Sequence, residues 1–249
     1  MPGKLIEMNI LRKKYRGEWG ASMKAPRIVG ALLAMVVAQA IAQKPVEFPL
    51  SNGPGQVQAD LYGQGTRGVV LAHGGRFNKE SWKKQAETLA HSGFLVLALG
   101  FRGDGLNPDG SPGAFGSTPD NAADVLAAVA YLHRIGAKTV SAIGGSMGGD
   151  AVGEADAASK PGNFDRIVLL GSAGGDSPEK LNGRKLFIVA REDRSSDGLR
   201  LPEITRHYER APEPKKLVIL AGSAHAQFIF GTDQGLRLMD EILRFLSEP

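Results

Sequence analysis

The chain has 249 residues, of which 42% are hydrophobic and 22% charged, enough to bury a domain-sized core and not the composition of a disordered polymer. Its formal charge of +4 sits in the first 42 residues, where seven basic side chains face two acidic ones, so the remainder is close to neutral and offers no basic groove for nucleic acid. There is no cysteine, which excludes disulfides, thiolate catalysis and cysteine-ligated zinc.

In chain order, the first element is a leader. From Met23 the sequence reads MKAPRIVGALLAMVVAQAIAQ. Lys24 and Arg27 form a positive start, Ile28 to Val37 an apolar stretch, and Ala38-Gln39-Ala40 and Ala40-Ile41-Ala42 two small-x-small cleavage sites. This is the plan of a signal peptide over 23–42, which implies a secreted or periplasmic protein. The stretch is shorter than the roughly 20 apolar residues of a membrane span. An N-terminal membrane anchor or a buried helix are the other readings, and the mature protein is expected to carry no span. Met23 is read as the true start, with residues 1–22 as a mis-called extension.

From residue 43 onward strands and helices alternate without a dividing linker. VEFPLS and QVQADLYG, around Gly53-Pro54-Gly55, predict an antiparallel hairpin. RGVVLAHGG predicts a buried strand, and NKESWKKQAETLAHSG a helix with Trp82, Ala86, Leu89 and Ala90 on one face. FLVLALGFR is a second buried strand. The irregular segment at 103–117 follows it, where open α/β sheets bind ligands. TPDNAADVLAAVAYLHRIG predicts a helix with Thr118 as N-cap and Pro119 in its first turn. TVSAIGGS is a third strand, and MGGDAVGEADAAS a helix of small residues. FDRIVLLGSAG and RKLFIVARED are strands, and GLRLPEITRHYERAP is a helix interrupted by Pro202. KKLVILAGSAH is the last strand, and QGLRLMDEILRFLSE a closing amphipathic helix. Strands this apolar belong in a mostly parallel sheet covered by helices on both faces, an α/β class with one domain over 43–249.

One turn carries the chemistry. In VSAIGGSMGGD, four glycines surround Ser146 between a strand and a helix. A phosphate loop would need a lysine that is absent here, and Asp150 would repel phosphate. The dinucleotide pattern G-x-G-x-x-G is matched only in its second half, and too late in the chain. Gly144-x-Ser146-x-Gly148 fits a nucleophile elbow, in which a serine on a strained strand-to-helix turn is lifted above the sheet. The first helical N–H, that of Met147, then points at a developing oxyanion.

Serine needs a base, and the base an orienting acid. Of the five histidines, His91, His133 and His207 fall on solvated helix faces, and His73 in a strand-end turn. His225 follows the last strand directly and is the candidate base. The candidate acid is Asp193, at the end of LFIVARED, with Asp197 and then Glu192 as alternatives. The second oxyanion donor is expected after VVLAHGG, at Gly75 with Arg76 second. The order Ser146, Asp193, His225 is that of α/β-hydrolases.

LAHGG, FRGDG, GGSMGG, VARED and GSAH also fall in the order and spacing of that superfamily. The chain resembles its small, cap-less branch related to dienelactone hydrolase over residues 46–249. The resemblance implies an α/β-hydrolase fold without a large cap. Dienelactone hydrolases proper use a cysteine nucleophile, so Ser146 points to an esterase-like relative. The expected activity is cleavage of small-molecule esters by a Ser146–His225–Asp193 triad, with Met147 and Gly75 as oxyanion donors and with no cofactor or metal. A peptidase or lipase of the same superfamily, or a non-catalytic binding protein on this fold, are the other readings.

Overall fold

Eight strands form one sheet in the order β1-β2-β4-β3-β5-β6-β7-β10. They are β1 (Lys44–Pro49), β2 (Gln56–Tyr62), β3 (Arg67–Ala72), β4 (Leu95–Gly100), β5 (Thr139–Gly145), β6 (Arg166–Leu170), β7 (Arg184–Ala190) and β10 (Lys215–Leu220). The structure, a computed structural model, describes residues 42–50, 53–102 and 121–248. Residues 1–22, the leader apart from Ala42, the 103–117 segment and the Thr118–Pro119 helix start lie outside the described residues.

The opening hairpin is antiparallel, and β2 pairs antiparallel with β4. The pairs from β4 through β3, β5, β6 and β7 to β10 are all parallel. The near-continuous apolar runs are explained by burial on both faces. Val70, Ala72, Leu97, Leu99, Phe187 and Val189 point to one face, beneath α2 (Asn121–Arg134), α3 (Met147–Ala158) and α4 (Leu201–Arg210). Val69, Leu71, Val96, Ala98, Leu186 and Ile188 point to the other, beneath α1 (Lys83–His91) and α5 (Gly235–Ser247). Each such Val, Leu, Ile or Phe side chain contributes about 1.5–3 kcal/mol on burial, so the two layers supply most of the drive to fold. The alternation within each strand puts both helical layers in place with a single sheet.

Two local features differ from the sequence reading. Pro202 does not interrupt a helix: α4 begins at Leu201, and Pro202 occupies its first turn. A missing N–H breaks no intrahelical bond there, and the ring's fixed φ favours the start. Just before it, Arg194–Ser195 (β8) and Gly198–Leu199 (β9) form a small antiparallel hairpin. Two-residue strands carry no periodicity, so nothing in the pattern announces them. Among the described residues no helix is long and apolar enough to cross a membrane.

The parallel strands deliver their C-terminal ends to one edge. β3 runs towards β4 on one side and β5 on the other, so the chain reverses direction of travel across the sheet at this point. A crevice opens at such a switch. The loops that follow β3, β5, β7 and β10 carry Gly75, Ser146, Asp193 and His225 respectively.

Candidate active site

Ser146 stands between β5 and α3 with φ 52° and ψ −121°, a conformation that L residues rarely adopt. The turn is pinned from both sides. The Ser146 N–H donates to the Leu170 carbonyl at the end of β6 at 2.9 Å, and its own carbonyl accepts from Gly149 N–H at 2.7 Å and Asp150 N–H at 3.0 Å. Space decides the flanking residues. A Cβ on Gly144 would lie 2.2 Å from the Gly148 carbonyl oxygen, and one on Gly148 would lie 2.3 Å from that of Ala72. Backbone meets backbone at both positions, so no rotamer change relieves the clash. Gly148→Ala is therefore expected to cost about 3 kcal/mol of stability, read as a lowered urea midpoint at unchanged slope. A variant as stable as the parent would show that the turn has slack.

Behind the turn, the Ser172 hydroxyl donates to Asp150 Oδ1 at 2.6 Å, tying the first turn of α3 to the end of β6. Burial pushes the Asp150 carboxyl above its ordinary range, and the Ser172 hydrogen bond opposes that rise.

His225 stands opposite the turn. Its Nε2 is 2.8 Å from Ser146 Oγ, and its Nδ1 is 2.7 Å from Asp193 Oδ2. Asp193 is wholly buried, and the His225 side chain is 25% exposed. A carboxylate can only accept, so Nδ1–H donates to Asp193 and Nε2 is left to accept from the serine hydroxyl. The three side chains form one chain of directed hydrogen bonds. Asp193 is fixed by its own backbone: its N–H donates to the Ala190 carbonyl, and its carbonyl accepts from Arg200 N–H at 3.0 Å. Arg200 Nε lies 3.6 Å from Oδ1. Asp197 and Glu192 are both exposed, whereas Asp193 faces inward. Ala226, next to His225, has φ 49°. With Ser146 it is one of two non-glycine residues at positive φ among the described residues, and strain of this kind concentrates where function over-determines geometry.

A cavity of about 410 Å³ opens over Ser146 and His225. Gly75, Met147, Arg76, Arg200, Phe77 and Phe228 all contribute to its wall. Phe77 and Phe228 pack against each other in that wall, with ring centroids 4.7 Å apart and planes tilted by 52°. The N–H groups of Gly75 and Met147 have no hydrogen-bond partner among the described residues. That leaves two donors beside the hydroxyl, on opposite loops. No group of three or more His, Asp or Glu side chains among the described residues could hold a metal ion.

The family described as "Serine aminopeptidase, S33" matches residues 64–192, which is more than half of the chain and contains the Ser146 turn. The chain belongs to this family of α/β-hydrolases. The match ends one residue before Asp193, so the acid and the histidine are joined to the turn by geometry alone. The hydrolase shares its fold with an esterase from Pyrococcus furiosus, at 17% identity and a TM-score of 0.65 over 83% of this chain and 91% of that one. It shares it equally with a dienelactone hydrolase from Anabaena variabilis, at 19% identity and 0.63 over 82% and 95%. A cold-adapted esterase from an Arctic intertidal metagenomic library is similar at 16% identity and 0.63, over 83% and 94%. The comparison with curated proteins gives no match.

None of the hydrolase's other histidines lines the cavity, although His73 Nδ1 holds the Gly74 carbonyl at 2.9 Å. His91 is exposed on α1, and its Nδ1 lies 2.7 Å from the Glu87 carbonyl oxygen. His133 Nδ1 lies 3.0 Å from the Ala137 carbonyl oxygen at the end of α2. His207 is half-buried on α4, and His73 is fully buried at the foot of the Gly74-Gly75 turn. Sequence reasoning overlooked Arg200, Phe228 and Phe77, which the hairpin, the helical turn after His225 and the turn after β3 respectively bring to the cavity. It also overlooked Gln227. A lone amide in the apolar tail AQFIF was the available signal.

Proposed function

We propose that the protein is a carboxylesterase acting on small esters through an acyl-enzyme. The observation that carries this reading is the directed chain from Ser146 Oγ through His225 to Asp193. In the first half-reaction Ser146 Oγ bonds to the ester carbonyl carbon while its proton passes to His225 Nε2. The carbonyl oxygen becomes an oxyanion facing the N–H groups of Met147 and Gly75. The intermediate collapses, the C–O bond to the alcohol breaks, and His225 returns its proton to the leaving oxygen. Water then attacks the acyl-serine with His225 again accepting a proton, and the acid departs as Ser146 recovers its hydrogen. The buried Asp193 carboxylate stabilises the imidazolium formed in each half. A cavity of about 410 Å³ with two aromatic side chains in its wall suits a compact acyl or aryl group.

A fluorophosphonate probe tests the reading. It should phosphonylate wild-type protein on the peptide containing Ser146, and the same preparation should hydrolyse p-nitrophenyl acetate. Labelling on another residue would move the nucleophile away from Ser146 and overturn the reading, and no labelling with the protein folded would leave a binding protein on a hydrolase fold. The family's description as a serine aminopeptidase favours one second reading. Aminoacyl p-nitroanilides cleaved faster than p-nitrophenyl esters would select it.

A further inference from the structure

Gln227 lies two residues after His225, in the helical turn Ala226–Gly231, and is 6% exposed. Its amide is directed without ambiguity. A backbone N–H can only donate, so Oε1 accepts from Gly74 N–H, at 2.8 Å. Nε2 then donates to Ser81 Oγ at 3.0 Å, and the Ser81 hydroxyl donates to the Asn78 carbonyl. The bonds close on one short piece of chain. Gly74 to Phe77 form a turn held by Phe77 N–H donating to the Gly74 carbonyl at 2.9 Å, and Asn78 follows directly. One buried amide thus clasps both ends of the turn that presents Gly75 to the cavity. Its stem also packs where a Cβ on Gly145 would come within 3.2 Å of Gln227 Cγ.

We infer that Gln227 is a positioning residue for the reaction: it holds the His73–Gly74 peptide, and through it the turn at Gly74, so that the Gly75 N–H faces the oxyanion, and it ties that loop to the segment carrying His225. This rests on the ester-hydrolysis reading above. The physical reason is that a donor to an oxyanion acts only when already aimed. The Gly74 carbonyl is held by the Phe77 N–H and by His73 Nδ1, both at 2.9 Å, and Gln227 fixes the other side of Gly74, the His73–Gly74 peptide. Without a partner for the Gly74 N–H the His73–Gly74 peptide can tilt, and a displacement of about 1 Å passed on to the Gly75 N–H costs on the order of 100-fold in rate. Ground-state binding, set by the cavity wall, should barely change.

The test uses the full chain with Gln227→Met, which keeps the length and removes both polar atoms, and Gln227→Asn, whose amide is too short to reach Gly74. Each folded variant should lose about 10- to 100-fold in kcat for p-nitrophenyl acetate with KM within about threefold of wild type. The pH midpoint of kcat/KM should stay where it is, since His225 and Asp193 are untouched. Binding of a trifluoromethyl ketone, whose serine adduct carries the same oxyanion, should weaken in step with kcat. A folded variant with kcat within about twofold of wild type overturns the inference. So does a fall in kcat accompanied by a moved pH midpoint, which would mean that His225 itself was displaced. If neither variant melts cooperatively, Gln227 is a packing residue and the inference falls. Wild-type protein that hydrolyses no ester removes the underlying reading instead, and this inference with it.

Discussion

Ser146→Ala is expected to reduce ester turnover by about 10⁶-fold while the melting temperature stays within about 2 °C of wild type. The loss is large because the remaining groups have nothing to act on. His225 can still accept a proton and Met147 N–H can still donate, but no acyl-enzyme forms, and a water placed by chance replaces a nucleophile held 2.8 Å from its base. Stability should hardly move because alanine keeps the Cβ and inherits the same φ of 52°. Ser146→Gly separates the two roles of this position. Glycine adopts φ 52°, ψ −121° without strain, and relief at such a residue is worth on the order of 1–3 kcal/mol, less the 0.5–1 kcal/mol of extra backbone entropy it loses on folding. The glycine variant should be equally inactive yet melt about 2–4 °C above the alanine variant. Differential scanning calorimetry of the two variants decides it. An order reversed, with alanine the more stable, would mean that the turn stores no strain and that the elbow's geometry is relaxed.

This position was also the most legible in the sequence, and the reason is local. Gly144, Ser146 and Gly148 lie within five residues; the close backbone approach requires the two glycines, and Ser146 stands between them at a φ that backbone preference alone would give to glycine. The sheet was legible too, because both-faces burial writes apolar runs such as Val69 to Ala72 that no exposed strand would carry. The helix after Ser146 has glycine at 148, 149 and 153, poor helix formers, and its place between two strands identified it better than its composition did. Choosing Asp193 over Asp197 was harder. The choice turns on the two-residue strands at 194–195 and 198–199, which leave Asp197 exposed while Asp193 stays against Ala190. Hairpins that short have no period to detect. Gln227 was illegible for a different reason. An amide carries no chemistry in its name, and its partner Gly74 is 153 residues away in the chain. Contacts of that separation arise from how β3 and β10 are placed in the sheet, which no local pattern encodes.

Asp193→Asn tests the far end of the hydrogen-bonded chain, and it should lower kcat by about 10⁴-fold with the fold intact. Asparagine has nearly the same shape, so the question is which way its amide turns. Oδ1 of Asp193 lies 3.6 Å from Arg200 Nε, and Oδ2 lies 2.7 Å from His225 Nδ1. An amide NH2 placed beside Arg200 would set donor against donor next to a positive charge. The amide therefore turns its carbonyl to Arg200 and its NH2 to His225. Nδ1 must then accept, which moves the imidazole proton to Nε2, the nitrogen that has to take the proton from Ser146. The serine is left facing a donor, and the imidazolium loses the buried carboxylate that would balance it. Fluorophosphonate labelling should slow in parallel, because both reactions draw on the same activated hydroxyl. Asp197→Asn is the matched control: on an exposed hairpin it should leave kcat within about twofold of wild type. If Asp197→Asn instead abolished turnover and Asp193→Asn did not, the orienting carboxylate would be the other one, and the hairpin would have to rearrange to bring it to His225.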